Sequence, residues 1–466
     1  MIATLEDAAR LFRPAAHLGI VSRPLYLLPL LRTGALAAML SSEAADAGWA
    51  ARFGVELHSL EEHTLSRDGG PGGPGLDGVT ARLPALVGHR WRGRELRLAG
   101  YGNQREHWTA AVESTGARLL VPPAVARSEV LVDKTAMREW FDHLGVPTPA
   151  STVVSGRPDH RVLGRRFGAV YVAQTPRGSG GNGTHLVRDA AEAAALPAHE
   201  RWLVSEYVGD TALNVHGFVG PDGLPQVLNP SLQLIGVEGT GCRFGQYAGC
   251  DFEAPERLSP PALRRCLEAT ERIGWGLAGL GYRGLFGADF VLRGDQAFAL
   301  EINCRVQGSS WLLGEIELER ADGRLPSLLR HVLGRHGVPT LGKPGPDPAQ
   351  GVQLTVRHTG AAVRAERAPQ AGAYALRDGA LVRRGDAAGL LECGPDETVL
   401  VNLPPAGALL HPGAVLARLV TRRSLTAPDG RTLTAHGRAL VDALHRLHSF
   451  ADPVRKVDAG ARTPVP

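Results

Sequence analysis

Residues 285–307 read LFGADFVLRGDQAFALEINCRVQ. Two apolar-rich runs, 285–292 and 297–303, flank a short polar stretch, which is the pattern of a β-hairpin. On a strand alternate side chains share a face, so Glu301, Asn303 and Arg305 project together if the strand runs that far. Asp289 joins them only if it lies across from Glu301, and that pairing calls for a three-residue connection, Gly294–Gln296. Two carboxylates and an amide oxygen are hard ligands of the kind Mg²⁺ takes, with waters and phosphate oxygens filling its other positions. Arg305 would hold a phosphate or stabilise charge that develops in transfer. A solvent-facing strand could carry the same acids, but the Phe, Leu and Ile between them argue for a half-buried one.

Upstream, VDKTAMREWFDHLGVPTP (132–149) has a capping Asp133, apolar residues at helical spacing, and a stop at Gly145 followed by two prolines. Lys134 stands at the start of this helix. Only three of the 51 Lys and Arg residues are lysine (134, 343 and 456), so a lysine kept here suits a point-charge contact with phosphate. AVYVAQ (169–174) and THLV (184–187) are strands around a tip containing Gly178, Ser179, Gly180, Gly181, Asn182 and Gly183, with Thr184 just beyond it. Such glycines let backbone N–H groups approach phosphate oxygens. They join two strands, so this is neither a P-loop nor a dinucleotide turn, both of which lead into a helix. A mobile surface loop would look the same, and mobility is also what a phosphate-covering lid needs. The strand end Glu206, Tyr207, Val208 has the character of an adenine-holding segment, and Asp210 or Asn214 is a candidate for the ribose.

In this order the stretches VDKTAMREWFDHLGVPTP, VAQTPRGSGGNGT, SEYV and GADFVLRGDQAFALEINCRVQGSS resemble the ATP-grasp superfamily, over roughly residues 130–312. The form EINCRVQGSS is closer to its biotin carboxylase-like branch, and the architecture is similar to the pheganomycin-type peptide ligases of actinobacteria. The resemblance implies ATP between two α+β subdomains, with Lys134 on phosphate and the Gly-rich hairpin over it. It puts Glu206 to Val208 on adenine, two Mg²⁺ ions on Asp289, Glu301 and Asn303, and Arg305 at the reacting groups. Gln307, Ser309 and Ser310 are then candidates for substrate contact. Where that superfamily carries a second lysine before the Gly-rich loop, this chain has Gln174. Its amide brings no charge, and Arg177 is the nearest candidate to compensate.

The expected activity is that of an ADP-forming carboxylate–amine ligase of secondary metabolism, acting through an acyl phosphate on small-molecule carboxylate and amine substrates. The alternatives are a biotin carboxylase-like enzyme, for which no biotin-attachment motif is evident, and a non-catalytic ATP sensor. A net charge of +4 over 466 residues gives no support for nucleic-acid binding. The five scattered cysteines, the acids in MIATLEDAARLFRP, and Pro29 and Arg32 interrupting the apolar stretch 24–40 suggest a cytoplasmic protein without a membrane segment. A homodimer is left open.

The expected fold is a mixed α+β and α/β chain. It comprises an open α/β domain (1–128) interrupted by a flexible loop at 66–78, and an ATP-grasp domain (129–338) with a lid at about 145–208. A Pro/Gly-rich linker follows (339–350), then a β-rich domain ending in a helix (351–450) and a disordered tail (451–466).

Overall fold

The computed structural model describes residues 4–12, 16–44, 49, 52–67, 96–100, 114–116, 118–120, 128–178, 180–181, 183–197, 201–320, 323–335, 337–338, 340, 346–367 and 369–451. The tail and most of the 66–78 segment lie outside the described residues, as do Ser179 and Asn182.

Strands β1 (Ala16–Val21), β2 (Ala38–Ser41), β3 (Glu56–Ser59), β5 (Leu96–Gly100) and β6 (Arg118–Leu120) form a parallel sheet in the order β3-β2-β1-β5-β6. This is the open α/β sheet expected of the first region. The apolar stretch after β1 is interior, as expected: a 3₁₀ turn, Pro24–Leu27, runs into helix α1 (Leu28–Arg32), and Leu25, Leu27, Leu28, Leu30 and Leu31 are all buried. Ser66–Arg67, expected in a loop, is instead a short strand, β4, paired with Leu409–Leu410 (β21). The reason is electrostatic. The buried Arg67 guanidinium takes Glu61 and the carbonyls of Asn402, Leu403 and Val415, which pins the chain.

The lid is an antiparallel sheet, β7 (Ser151–Ser155), β10 (Arg201–Glu206), β8 (Tyr171–Gln174) and β9 (Thr184–Val187), in the order β7-β10-β8-β9. It carries its own small core of Tyr171, Ala173, Val187, Trp202 and Val204. Below it lies a ten-stranded antiparallel sheet. Its first five strands are β15 (Gln296–Asn303), β14 (Gly284–Arg293), β11 (Ala212–Val219), β12 (Pro225–Ile235) and β13 (Tyr247–Asp251). The other five are β16 (Val352–Arg357), β22 (Val415–Thr421), β20 (Glu397–Val401), β18 (Gly372–Arg377) and β19 (Ala380–Gly385).

The linker therefore does not divide two sheets. Strand β16 pairs with β13, and one hydrophobic core runs from Leu25 through Trp311 to Leu419. Helices α2 (Lys134–His143) and α3 (Pro260–Gly279) pack a second core against β11, β14 and β15. At α3 the buried residues Ala262, Cys266, Ala269, Ile273 and Leu277 recur at helical spacing, so one stripe meets the sheet. Arg32 ties α1 to both sides of the junction, donating to Glu315 at 2.9 Å and Glu392 at 2.7 Å. Among the described residues no helix is long and apolar enough to cross a membrane.

Candidate active site

Strands β14 and β15 set Asp289 opposite Glu301 and Gly287 opposite Asn303. The expected three-residue connection is corrected. Arg293 pairs with Gln296 across a two-residue turn, with Gly294 at φ 58° in the first position where positive φ is required. The odd residue sits in the strand instead. Phe290 faces Ala299 and Asp289 faces Glu301, so Leu300 is a β-bulge that returns the two acids to one face. Two contacts hold the bulge: the Ala299 N–H donates to the Pro147 carbonyl at 2.8 Å, and the buried Arg138 donates to the Ala299 carbonyl.

Asp289 is 6% exposed and accepts from three amides: Asn214 at 2.5 Å, Gln233 at 2.8 Å and Asn303 at 3.0 Å. Burial, and after it the Glu301 charge, raise its carboxyl above the usual range, and a bound cation would reverse that. Glu301 is more open and has Lys134 Nζ 3.6 Å away. Lys134 also donates to the Gly178 carbonyl at 3.1 Å, which links the acids to the Gly-rich tip. The strand ends at Asn303, and a tight turn, with the Arg305 N–H on the Asn303 carbonyl at 2.9 Å, brings Arg305 back. Its guanidinium donates to Asn303 Oδ1 at 2.9 Å.

This donor set fits a hard divalent cation. Among the described residues no third His, Cys, Asp or Glu joins the two carboxylates. Phosphate oxygens, water and the Asn303 amide would complete the shell, the amide after turning its oxygen toward the acids.

In the lid, Gln174 opposes Thr184 and donates to its hydroxyl at 3.2 Å. Gly180, Gly181 and Gly183 have positive φ (64°, 81° and 74°). Gly181 lies so close to the loop after β12 that a Cβ there would fall 1.9 Å from the Gly245 carbonyl oxygen. Arg177 is 74% exposed and has Asp133 3.8 Å away.

At the hinge, Glu206 accepts from the Ala150 N–H and from Arg293, each at 3.0 Å, leaving the backbone of Tyr207 and Val208 to meet a base. Asp210, a ribose candidate, is taken by Tyr207 and Arg431.

Several expectations change. Asn214, the other ribose candidate, is 1% exposed and lies beneath Asp289, bridged to Gln307 at 2.9 Å. Gln307, Ser309 and Ser310 are interior rather than facing a substrate. Gln307 supports Asn214, Ser309 meets His216 Nε2 at 3.1 Å, and Ser310 accepts from the Gln307 N–H at 3.1 Å. Through Asn214, Gln307 connects to Asp289 from behind. Gln233 was not anticipated. Its signal was the alternation of polar residues, Ser231 and Gln233 like Asn214 and His216, inside strands otherwise apolar.

With this geometry in place, residues 131–309 are an ATP-grasp domain. Over 180 residues the chain is 41% identical to the L-propargylglycine–L-glutamate ligase of Streptantibioticus cattleyicolor, covering 34% of this chain and 35% of that protein. Over 205 residues it is 26% identical to the formate-dependent phosphoribosylglycinamide formyltransferase of Rhodococcus jostii, covering 42% and 49%. The matches thus span about half, or less, of those relatives' length.

The fold extends further. Biotin carboxylase from Campylobacter jejuni superposes with a TM-score of 0.58 over 94% of this chain and 92% of its own, at 12% identity. N5-carboxyaminoimidazole ribonucleotide synthetase from Thermus thermophilus gives 0.52 over 93% and 98%, at 19% identity. The likeness in fold to these two enzymes therefore extends beyond residues 131–309.

Proposed function

We propose that this protein is a cytoplasmic, ADP-forming carboxylate–amine ligase that makes an amide or peptide bond on a small metabolite. The carrying observation is the opposition of Asp289 and Glu301 with Lys134 and Arg305 at either side. Asp289, Glu301 and Asn303 would hold Mg²⁺, which when bound neutralises charge on the transferring phosphoryl group. Lys134 would hold a phosphate as a point charge beneath the Gly-rich tip, and the backbone of Tyr207 and Val208 would orient the base. Arg305 would stabilise the oxygens of an acyl phosphate while an amine attacks its carbonyl carbon and phosphate leaves. The ligase from Streptantibioticus cattleyicolor, by its name, joins two amino acids, and that supports an amine as acceptor.

The test is ADP release by the full chain with pairs of amino acids, against bicarbonate plus biotin. ADP should appear only when both a carboxylate and an amine are supplied. ATP binding without ADP release for any carboxylate tested would overturn the reading.

A further inference from the structure

The ten-stranded sheet is polar on one face well beyond the acids. Opposed residues share a face. Asp289 opposes Asn214, Asn214 opposes Ser231, Gln233 opposes Cys250, Cys250 opposes Gln353, and Thr355 opposes Arg418. At the far end of this band stand two guanidiniums near enough for the Arg418 charge to act on Arg357. Arg418 is 2% exposed; its Nε donates to Asn402 at 3.1 Å and its Nη2 to Tyr26 at 3.0 Å, while Nη1 has no partner. Arg357, two residues beyond Thr355, donates from Nη1 to the Gly413 carbonyl at 2.8 Å, while Nε has none.

Among the described residues neither arginine lies within ion-pair distance of a carboxylate, although the Glu43 charge reaches Arg418 and the Cys242 thiol lies beside Arg357. The nearby acids are committed elsewhere, Glu43 to Arg23 at 2.9 Å and to Asn402 at 2.7 Å, and Glu61 to Arg67 at 2.7 Å. Burial, and beyond it the charges of Arg23 and Arg418, push the Arg357 guanidinium below its ordinary range. Two more buried donors share the orphaned state, the Thr355 hydroxyl and the Gln353 amide nitrogen, and the Tyr247 hydroxyl has only the weakly bonding Cys250 thiol beside it.

Buried donors of this kind are normally satisfied, and two unpaired buried cations are costly without an anion. The place is next to the reacting groups. A Cβ on Gly308, three residues after Arg305, would lie 3.1 Å from the Tyr247 ring and 3.6 Å from the Tyr26 hydroxyl.

We propose that Arg357 and Arg418, with Thr355 and Tyr247, bind the spectator carboxylate of the amine substrate, which makes that substrate an amino acid. The word amine here rests on the ligase reading; the carboxylate site does not. A guanidinium pair matches a planar two-oxygen anion, and the hydroxyls supply its remaining donors. A phosphoryl group is the other source of such oxygens.

The experiment titrates the full chain calorimetrically with the proteinogenic L-amino acids, their α-carboxamides and inorganic phosphate. At least one amino acid should bind, with its carboxamide about tenfold weaker or more, as expected for a lost charged hydrogen bond. Arg418→Gln should abolish that difference. Since Arg418 also bonds Asn402 and Tyr26, Tyr247→Phe is the second variant. It removes an oxygen whose one neighbour is the weakly bonding Cys250 thiol, so the melting temperature should hold within a few degrees while amino-acid affinity falls about threefold.

Equal binding of acid and carboxamide, no amino-acid binding at all, or binding of phosphate alone would overturn the proposal. Binding is read without turnover, so the two readings fail separately. Amino-acid binding with no ADP release sinks the ligase, and ADP release with equal use of acid and carboxamide sinks the carboxylate site.

Discussion

The two hairpins that frame the site are built on opposite principles. In the acid hairpin, β14 is buried along all but its last residue, and Asp289 is fixed by three amides. In the lid hairpin, Gln174 has one hydroxyl partner, and the tip turns on glycines at positive φ. The first holds the Asp289 carboxylate in place through three buried amide donors, so it tolerates little change. The second shows few side-chain bonds among its described residues, which suits the closing motion proposed for it.

The largest effect expected of a single change is at the rigid end. Glu301→Ala should lower ADP release at least about a hundredfold, since it removes a cation ligand facing the reacting phosphate. Its side chain is 29% exposed and, among the described residues, its ion-pair partner is Lys134, so the melting temperature should stay within a few degrees. Normal turnover in this variant would remove the acid hairpin from the chemistry.

Acid should separate the hairpins next. His216 lies on β11 beneath the acids, against Ser309, and burial holds its imidazole down at about 4. Unfolding returns it to about 6.5, so at this group the unfolded chain binds more protons between those values, and the His216 contribution to stability falls as pH drops from about 6.5 to 4, while the raised carboxyl of Asp289 contributes with the opposite sign. The full shift amounts to about 3 kcal/mol. Hydrogen exchange at β11 and β14, compared between wild type and His216→Phe, should show the wild type losing more protection than the variant through that window. Equal loss in wild type and variant would assign the acid effect elsewhere.

What could be read from the sequence follows the same division. The acid hairpin was legible because apolar runs, acids and an E-x-N-x-R order all point one way. Its connection was misread, because the bulge at Leu300 leaves no mark in residue type; it depends on Arg138 and Pro147, far away in the chain. Asn214 read as a ribose contact because a polar residue in a strand looks the same whether it faces a ligand or supports Asp289 from below. Linker 339–350 looks like a domain boundary, yet the pairing of β16 with β13 is long-range and carries no local signal. Ser66–Arg67 sits beside glycines and read as loop, while what orders it comes from carbonyls more than 330 positions away.

At the flexible end, glycine substitutions discriminate freedom from contact. Gly181→Ala would drive its Cβ against the Gly245 backbone and also strain φ 81°. Gly180→Ala meets nothing within 4 Å and bears the backbone strain alone, about 1–2 kcal/mol. If lid seating on the 236–246 loop matters, Gly181→Ala should raise the KM for ATP about tenfold more than Gly180→Ala does, the added clash being of the order of 1–3 kcal/mol. Both should leave the melting temperature nearly unchanged, because the lid core around Tyr171 and Trp202 lies away from the tip. Equal kinetics would mean that the close approach at Gly245 has no part in closure.

The smallest effect tests whether the lid's lack of charge is itself a property of this site. Gln174 points toward Thr184 from the strand leading into the tip, and Arg177, the nearest replacement cation, is largely in solvent beside Asp133. A charge-assisted hydrogen bond is roughly twice as strong as a neutral one, so Gln174→Lys should lower the KM for ATP several-fold. The cost is the neutral bond to Thr184, worth about 1 kcal/mol, which limits the gain. Turnover at saturating ATP should be unchanged, because the added charge would act on bound nucleotide and transition state alike. If kcat rises with it, position 174 reaches the transferring phosphate, and the lid shares in the charge placement assigned here to the acid hairpin. If neither constant moves, the strand before the tip lies outside the nucleotide site, and the Gly-rich backbone with Lys134 must hold the phosphates alone.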